Sequence, residues 1–153
     1  MSSEINRQAI TFMETMTVAS RKMRTYYNAQ VSRYGLTFAR ARVILLLSKN
    51  KVMNQSALAC ELELEKPTVV RMLDRMEAIG LISRSPDPND RRANLISLSE
   101  HGKAMAVKLD QVRVEFFDAL FGPADAQKLA GGIAVFETII ARIEKLEAHD
   151  GDI

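Results

Sequence analysis

Two short β-rich runs, Leu81–Ser85 and Ala93–Leu98, flank Pro86-Asp87-Pro88-Asn89-Asp90 in a chain whose other apolar residues follow helical spacing. Proline, aspartate and asparagine are turn formers, because proline presets φ and the short polar side chains bond their own backbone. The pair of runs therefore predicts a β-hairpin, long enough to protrude. A single protruding hairpin set among helices leaves few folds open.

The helices can be placed around it. From Ile5 through Ala9, Phe12, Met16, Ala19 and Met23 to Tyr26 the apolar spacing stays near 3.6, which predicts a first helix from Ile5 to about Ser32. That is long for so short a chain, so part of it is expected to pack on another chain. Tyr34-Gly35 ends it. Thr37 is placed to cap a second helix through Leu47, and Asn54 a third carrying Ala57, Leu58 and Leu62. A fourth runs from about Pro67, tolerated in a first turn, to Ala78, with Gly80 as its stop. Ser99 caps a fifth that ends at Gly122-Pro123, and a sixth spans about Ala124 to Glu147.

Helix, turn, helix, hairpin is the order of a winged helix-turn-helix. The expected fold is mainly α with a small β-hairpin wing, in one domain over residues 1–153. The winged helix-turn-helix covers 36–98, with its wing at about 81–98. Helices at 5–34 and 99–148 flank it and join two copies. Ile133, Phe136, Ile140 and Ile143 form one stripe of the last helix, and Leu129, Val135, Ile139 and Leu146 widen it past a single face. A surface that wide needs two partners, and a homodimer supplies the second. Gly131-Gly132 in mid-helix fits either a close helix approach or a local kink.

Bulk charge is nearly neutral, +2, but its distribution is uneven. No Asp or Glu occurs between Thr15 and Cys60, a stretch holding Arg21, Lys22, Arg24, Arg33, Arg40, Arg42, Lys49 and Lys51. From Glu100 onward ten acidic residues face six Lys or Arg. Such asymmetry fits one face meeting a polyanion, or simply two solvated faces of opposite sign.

On a helical wheel Val69, Val70, Leu73 and Met76 share the inner side of the fourth helix, while Thr68, Arg71, Met72 and Arg75 share the outer one. A hydroxyl, a thioether and two guanidiniums suit base edges and phosphates in a major groove. The helix N-terminus, at Lys66 and Pro67, adds a positive dipole end for a backbone phosphate. The plainer reading is a solvated face on which arginines meet Asp74 and Glu77. Gln55 and Ser56, opening the third helix, are counted with the DNA-facing set. So are Arg84 on the incoming strand and Asp90, Arg91 and Arg92 at the hairpin tip, because arginine on a narrow projection suits the minor groove. Asp90 would repel phosphate, so it is expected to pair with Arg92 and aim it, or else to serve only as a turn former.

The run from Gln55 to Gly102, QSALACELELEKPTVVRMLDRMEAIGLISRSPDPNDRRANLISLSEHG, resembles the winged-helix region of MarR-type regulators, with a SlyA-like flavour. LEKPTVVRMLDRME stands for the recognition helix, GLISR enters the wing and DRRANLISLSEHG leaves it. YGLTFARARVILLL is similar to the family's second helix. The resemblance implies an obligate homodimer with interlocked terminal helices. It also implies sequence-specific binding of double-stranded DNA at a palindromic operator. The first hypothesis is a repressor whose dimer is loosened from DNA by a small anionic aromatic ligand, and the single cysteine fits a reducing, cytoplasmic setting. A ligand-independent, SlyA-like architectural regulator that displaces other DNA-coating proteins is the alternative. A winged helix used for protein contact is disfavoured by Arg71 and Arg75.

Other classes find little support. No membrane-length apolar run is present, the longest being Val43 to Leu47. One cysteine and two sequence-distant histidines, His101 and His149, offer neither a nucleophile–base pair nor a metal cluster, so no enzyme, cofactor or metal is expected. Cys60 is expected to be a packed, inert thiol. Phe12, Met13, Met16, Met23, Tyr26 and Tyr27 either line an apolar ligand pocket or belong to a core.

Overall fold

The computed structural model describes residues 3–90 and 92–150. In chain order the elements are α1 (Ser3–Ser32), α2 (Phe38–Asn50), β1 (Val52–Asn54), α3 (Gln55–Leu62), α4 (Lys66–Ala78), β2 (Ile82–Pro86), β3 (Asn94–Leu98), α5 (Glu100–Leu120) and α6 (Ala126–Asp150). Packing divides the chain into two units, 1–114 and 115–153, with the boundary inside α5.

The predicted caps are in place. The Thr37 hydroxyl accepts the Arg40 amide at 3.4 Å, Asn54 Oδ1 accepts that of Ala57 at 2.8 Å, and Ser99 Oγ accepts that of Gly102 at 3.0 Å. Each satisfies an amide that the first helical turn leaves without a partner. Gly35 and Gly80 take the positive φ values of 71° and 74° that end α1 and α4. α2 runs past Leu47 to Asn50. Ser48, Lys49 and Asn50 break the apolar pattern without breaking the backbone, and Asn50 Nδ2 donates to the Leu46 carbonyl at 2.9 Å. Lys51 closes the helix at φ 67°, its amide bonded to the Leu47 carbonyl.

The wing is one strand larger than the sequence predicts. β2 and β3 form the expected antiparallel hairpin, in register from Ile82 opposite Leu98 to Pro86 opposite Asn94. β1 pairs with the other edge of β3, Val52 opposite Ser97 and Asn54 opposite Leu95, giving the order β1-β3-β2. Three residues are too few for alternation to register in a sequence.

The core of the first unit gathers Ile44 and Leu47 of α2, Leu58 of α3, Val69, Leu73 and Met76 of α4, Ile96 of β3, and Leu81, all essentially inaccessible to solvent. With its inner side held there, α4 presents Thr68, Arg71 and Arg75 outward and Met72 half-exposed. Ser99 Oγ also donates to the Gly80 carbonyl, and the Ser99 amide donates to that of Leu81 at 3.1 Å. The end of α4, the root of the wing and the start of α5 thus share one short hydrogen-bonded junction.

In the second unit, Gly122-Pro123 breaks the helical run as predicted, and Pro123–Asp125 forms a 3-10 turn in which Asp125 Oδ2 accepts the Gly122 amide at 3.0 Å. α6 continues through Gly131-Gly132 as one helix. Leu129, Ile133, Val135, Phe136, Ile140, Ile143 and Leu146 are all exposed on it.

Candidate nucleic-acid interface

α3 and α4 are joined by a tight turn in which Glu63 adopts the left-handed conformation, φ 54°. The Leu64 amide donates to the Ala59 carbonyl at 3.1 Å, closing the end of α3. Gln55 is half-buried and Ser56 exposed at the start of α3. Glu65 precedes α4 without capping it through its side chain, so the positive end of that helix stays open beside exposed Lys66, Pro67 and Thr68. Arg71 Nε donates to the Pro67 carbonyl at 3.3 Å, which lays the guanidinium back toward that same end.

The wing tip is built from consecutive side-chain-to-backbone turns. Asp87 Oδ1 accepts the Asn89 amide at 2.9 Å, and Asp90 Oδ1 accepts the Arg92 amide at 2.9 Å. The Asp87 amide bonds the Ala93 carbonyl at 3.1 Å, and the Ala93 amide bonds that of Asp90 at 3.0 Å. The expected charge pairing of Asp90 with the Arg92 guanidinium is corrected by this geometry. The carboxylate holds the Arg92 backbone, and the Arg92 side chain is exposed. Physically, the amide two residues on is the nearest donor and costs no side-chain entropy to order. Arg91 lies outside the described residues.

Arg84 also departs from expectation. Instead of pointing to solvent for DNA, it turns back onto α4. Its Nη2 lies 2.7 Å from Asp74 Oδ1 and its Nη1 lies 2.6 Å from Glu77 Oε2, with only 17% of the side chain exposed. Its Nε is buried without a hydrogen-bond partner among the described residues. Burial works against the charged form, but hydrogen bonds and charge from Asp74 and Glu77 outweigh it and raise the guanidinium above its ordinary value. Asp74 and Glu77, whose contacts with arginine the sequence reading treats as incidental, thus hold a wing-strand arginine against α4. Their spacing of three on one helix face was the available signal.

The six α1 residues do not converge within one chain. Tyr27 is buried, its ring edge-on to Phe38 at 6.0 Å, and burial raises its phenol above the ordinary value while Arg113 partly offsets this. Phe12 and Met16 are half-buried, whereas Met13, Met23 and Tyr26 are exposed. Phe12, Met13 and Met16 line three separate shallow grooves along the helix. A cavity of about 500 Å³ lies elsewhere, bounded by Leu47, Lys51, Leu98, Lys103, Val107 and Asp110. Cys60, expected to be packed, is exposed, because the short α3 turns Leu58, Ala59 and Leu62 inward instead. No cluster of three or more metal-ligating side chains occurs among the described residues, and no described helix is long and apolar enough to cross a membrane.

Residues 36–93, from the start of α2 to the wing tip, match the MarR family. That match takes in most of the winged-helix segment, α2 through β2 and the wing tip. Over 90 residues the chain is 32% identical to the organic hydroperoxide resistance transcriptional regulator of Bacillus subtilis, a match covering 59% of this chain and 61% of that protein. The chain thus spans less than two thirds of that curated relative. The MarR fold extends further than this identity. The transcriptional regulator BldR from Sulfolobus solfataricus superposes with a TM-score of 0.76 at 19% identity, over 93% of this chain and 99% of that one. A mutant MarR from E. coli complexed with operator DNA superposes with a TM-score of 0.72 at 22% identity, over 86% and 95%.

Proposed function

We propose that this protein is a MarR-type transcription regulator that binds duplex DNA as a homodimer at a pseudo-palindromic operator and represses from it. The observation that carries this reading is the outward side of α4, where Thr68, Arg71 and Arg75 stand exposed on a helix whose opposite side is the core. Such a helix fits the major groove, and the exposed Arg92 at a tip fixed by backbone hydrogen bonds fits the adjoining minor groove. The bound state of the E. coli relative, complexed with operator DNA, supports the partner.

The homodimer is supported by apolar surface. Ile5, Ile10, Met13 and Val18 on α1 and Ile133, Ile140 and Leu146 on α6 are each more than two-fifths exposed, more than a soluble monomer ordinarily leaves in water. Release by a small aromatic anion is the remaining part of the reading. The cavity beside Lys51 and Lys103, with Leu47 and Leu98 as apolar walls, offers the matching chemistry.

Selection of bound duplexes from a random pool, followed by sedimentation of the complex, tests the proposal. The expected product is a two-fold sequence with half-sites about one helical turn apart, ~10 bp, carrying one dimer. A stable monomer at micromolar concentration, or a pool that does not enrich, overturns it. Salicylate added to the selected complex is expected to release the DNA.

A further inference from the structure

α4 carries Asp74 and Glu77 among the groups that would approach DNA, and neither belongs near phosphate. Left bare, two carboxylates would offset the charge of Arg71 and Arg75 on the same helix. Arg84 meets both at once, one guanidinium nitrogen on each, from the middle of β2. Its cross-strand neighbour is Ile96, whose side chain is fully buried, so the strand is anchored at that position. The forked geometry matters, because a planar guanidinium spans two acceptors in fixed directions where an ammonium cannot.

We infer that Arg84 is a positioning residue for DNA binding: it locks the wing strand to the recognition helix through Asp74 and Glu77, and offsets part of their negative charge without itself touching DNA. This inference rests on the DNA-binding reading above. It joins two rigid pieces that meet the duplex separately, the helix in one groove and the tip around Arg92 in the next. The hairpin is held at its base by the Ser99 junction, and Arg84 adds a second attachment further out along the wing, opposite the side chains of α4. Two attachments fix an angle where one leaves a hinge. A fixed angle spares the entropy of ordering the wing when DNA arrives.

The two possible roles of Arg84 predict opposite signs for one variant. If Arg84 contacted DNA, the double change Asp74→Asn with Glu77→Gln would free its charge, remove two negative charges and tighten binding. If Arg84 acts through the carboxylates, the same variant must bind more weakly although its charge is more favourable. The probe is a duplex selected by the wild-type protein, with affinity read by fluorescence anisotropy and contacts by footprinting. The expected loss is about tenfold, the scale of lost charge-assisted hydrogen bonds. Protection of the minor groove flanking the site should fade while major-groove protection persists, which a general loss of fold would not produce. Arg84→Lys should fall between wild type and the Asn/Gln variant, since it keeps the charge but not the fork. Adding Arg84→Ala to the Asn/Gln variant should cost nothing further. Wild-type or tighter binding by the Asn/Gln variant overturns the inference, as does uniform loss of both protections. A wild-type protein that selects no duplex overturns the DNA-binding reading instead, so the two failures are distinct.

Discussion

Gly102, in the first turn of α5, lies against the backbone of Leu81, so close that a Cβ added to it would stand 2.0 Å from the Leu81 carbonyl oxygen and 3.2 Å from Leu98 Cδ2. The obstacle is backbone that is itself engaged, since that carbonyl accepts the Ser99 amide at 3.1 Å. Gly102→Ala is therefore expected to push α5 away from the root of the wing and to destabilise the fold by ~1–3 kcal/mol, as overpacking does. Thermal unfolding followed by circular dichroism reads this as a lower midpoint. An unchanged midpoint would mean that the junction yields freely, and would remove it as the anchor of the wing.

At the wing tip, Asp90 holds the Arg92 amide, so an acceptor is needed there and a charge is not. Asp90→Ala is expected to weaken binding of a selected duplex by about two- to tenfold, the value of one hydrogen bond. Asp90→Asn keeps the acceptor and deletes the negative charge, so it should bind as well as wild type or better. Equal losses in both variants would restore a charge-based role for Asp90.

On α4, Arg71→Ala is expected to cost ~1–3 kcal/mol and to relax preference at one base position. Arg75→Ala should instead weaken all sequences alike and lower the slope of log affinity against log salt by about one unit. A salt titration on selected and scrambled duplexes separates the two. If Arg71→Ala leaves base preference intact, its guanidinium belongs to phosphate.

Burial raises the Tyr27 phenol above its ordinary value of 10.0, despite the opposing charge of Arg113. The folded protein therefore retains this proton after the unfolded chain has released it. The stability linked to it is complete below about pH 10 and falls as pH rises through the folded value. Urea unfolding across that range should show a steeper alkaline loss in wild type than in Tyr27→Phe. Identical slopes would assign the loss to other groups.

What could be read from the chain itself was local. Thr37, Asn54 and Ser99 announced helix starts because a cap bonds an amide three residues away, and Gly35 and Gly80 announced stops because their φ is positive. The inner and outer sides of α4 followed from the 3.6-residue period, which assigns Val69, Leu73 and Met76 inward and Thr68, Arg71 and Arg75 outward with no knowledge of what covers them. The motif around the wing carried the family resemblance. Tertiary structure decided the rest, wherever a side chain chose between solvent and a partner distant in sequence. Arg84 could face DNA or α4 until β2 was folded against Asp74 and Glu77, ten and seven residues earlier. β1 existed only once Val52–Asn54 met the free edge of β3, more than forty residues on. Asp90 chose the backbone of Arg92 over its side chain because an amide already in place is ordered at no entropic cost, while a flexible guanidinium is not. Periodicity records which side of an element is apolar; only the packed chain fixes which polar groups find each other.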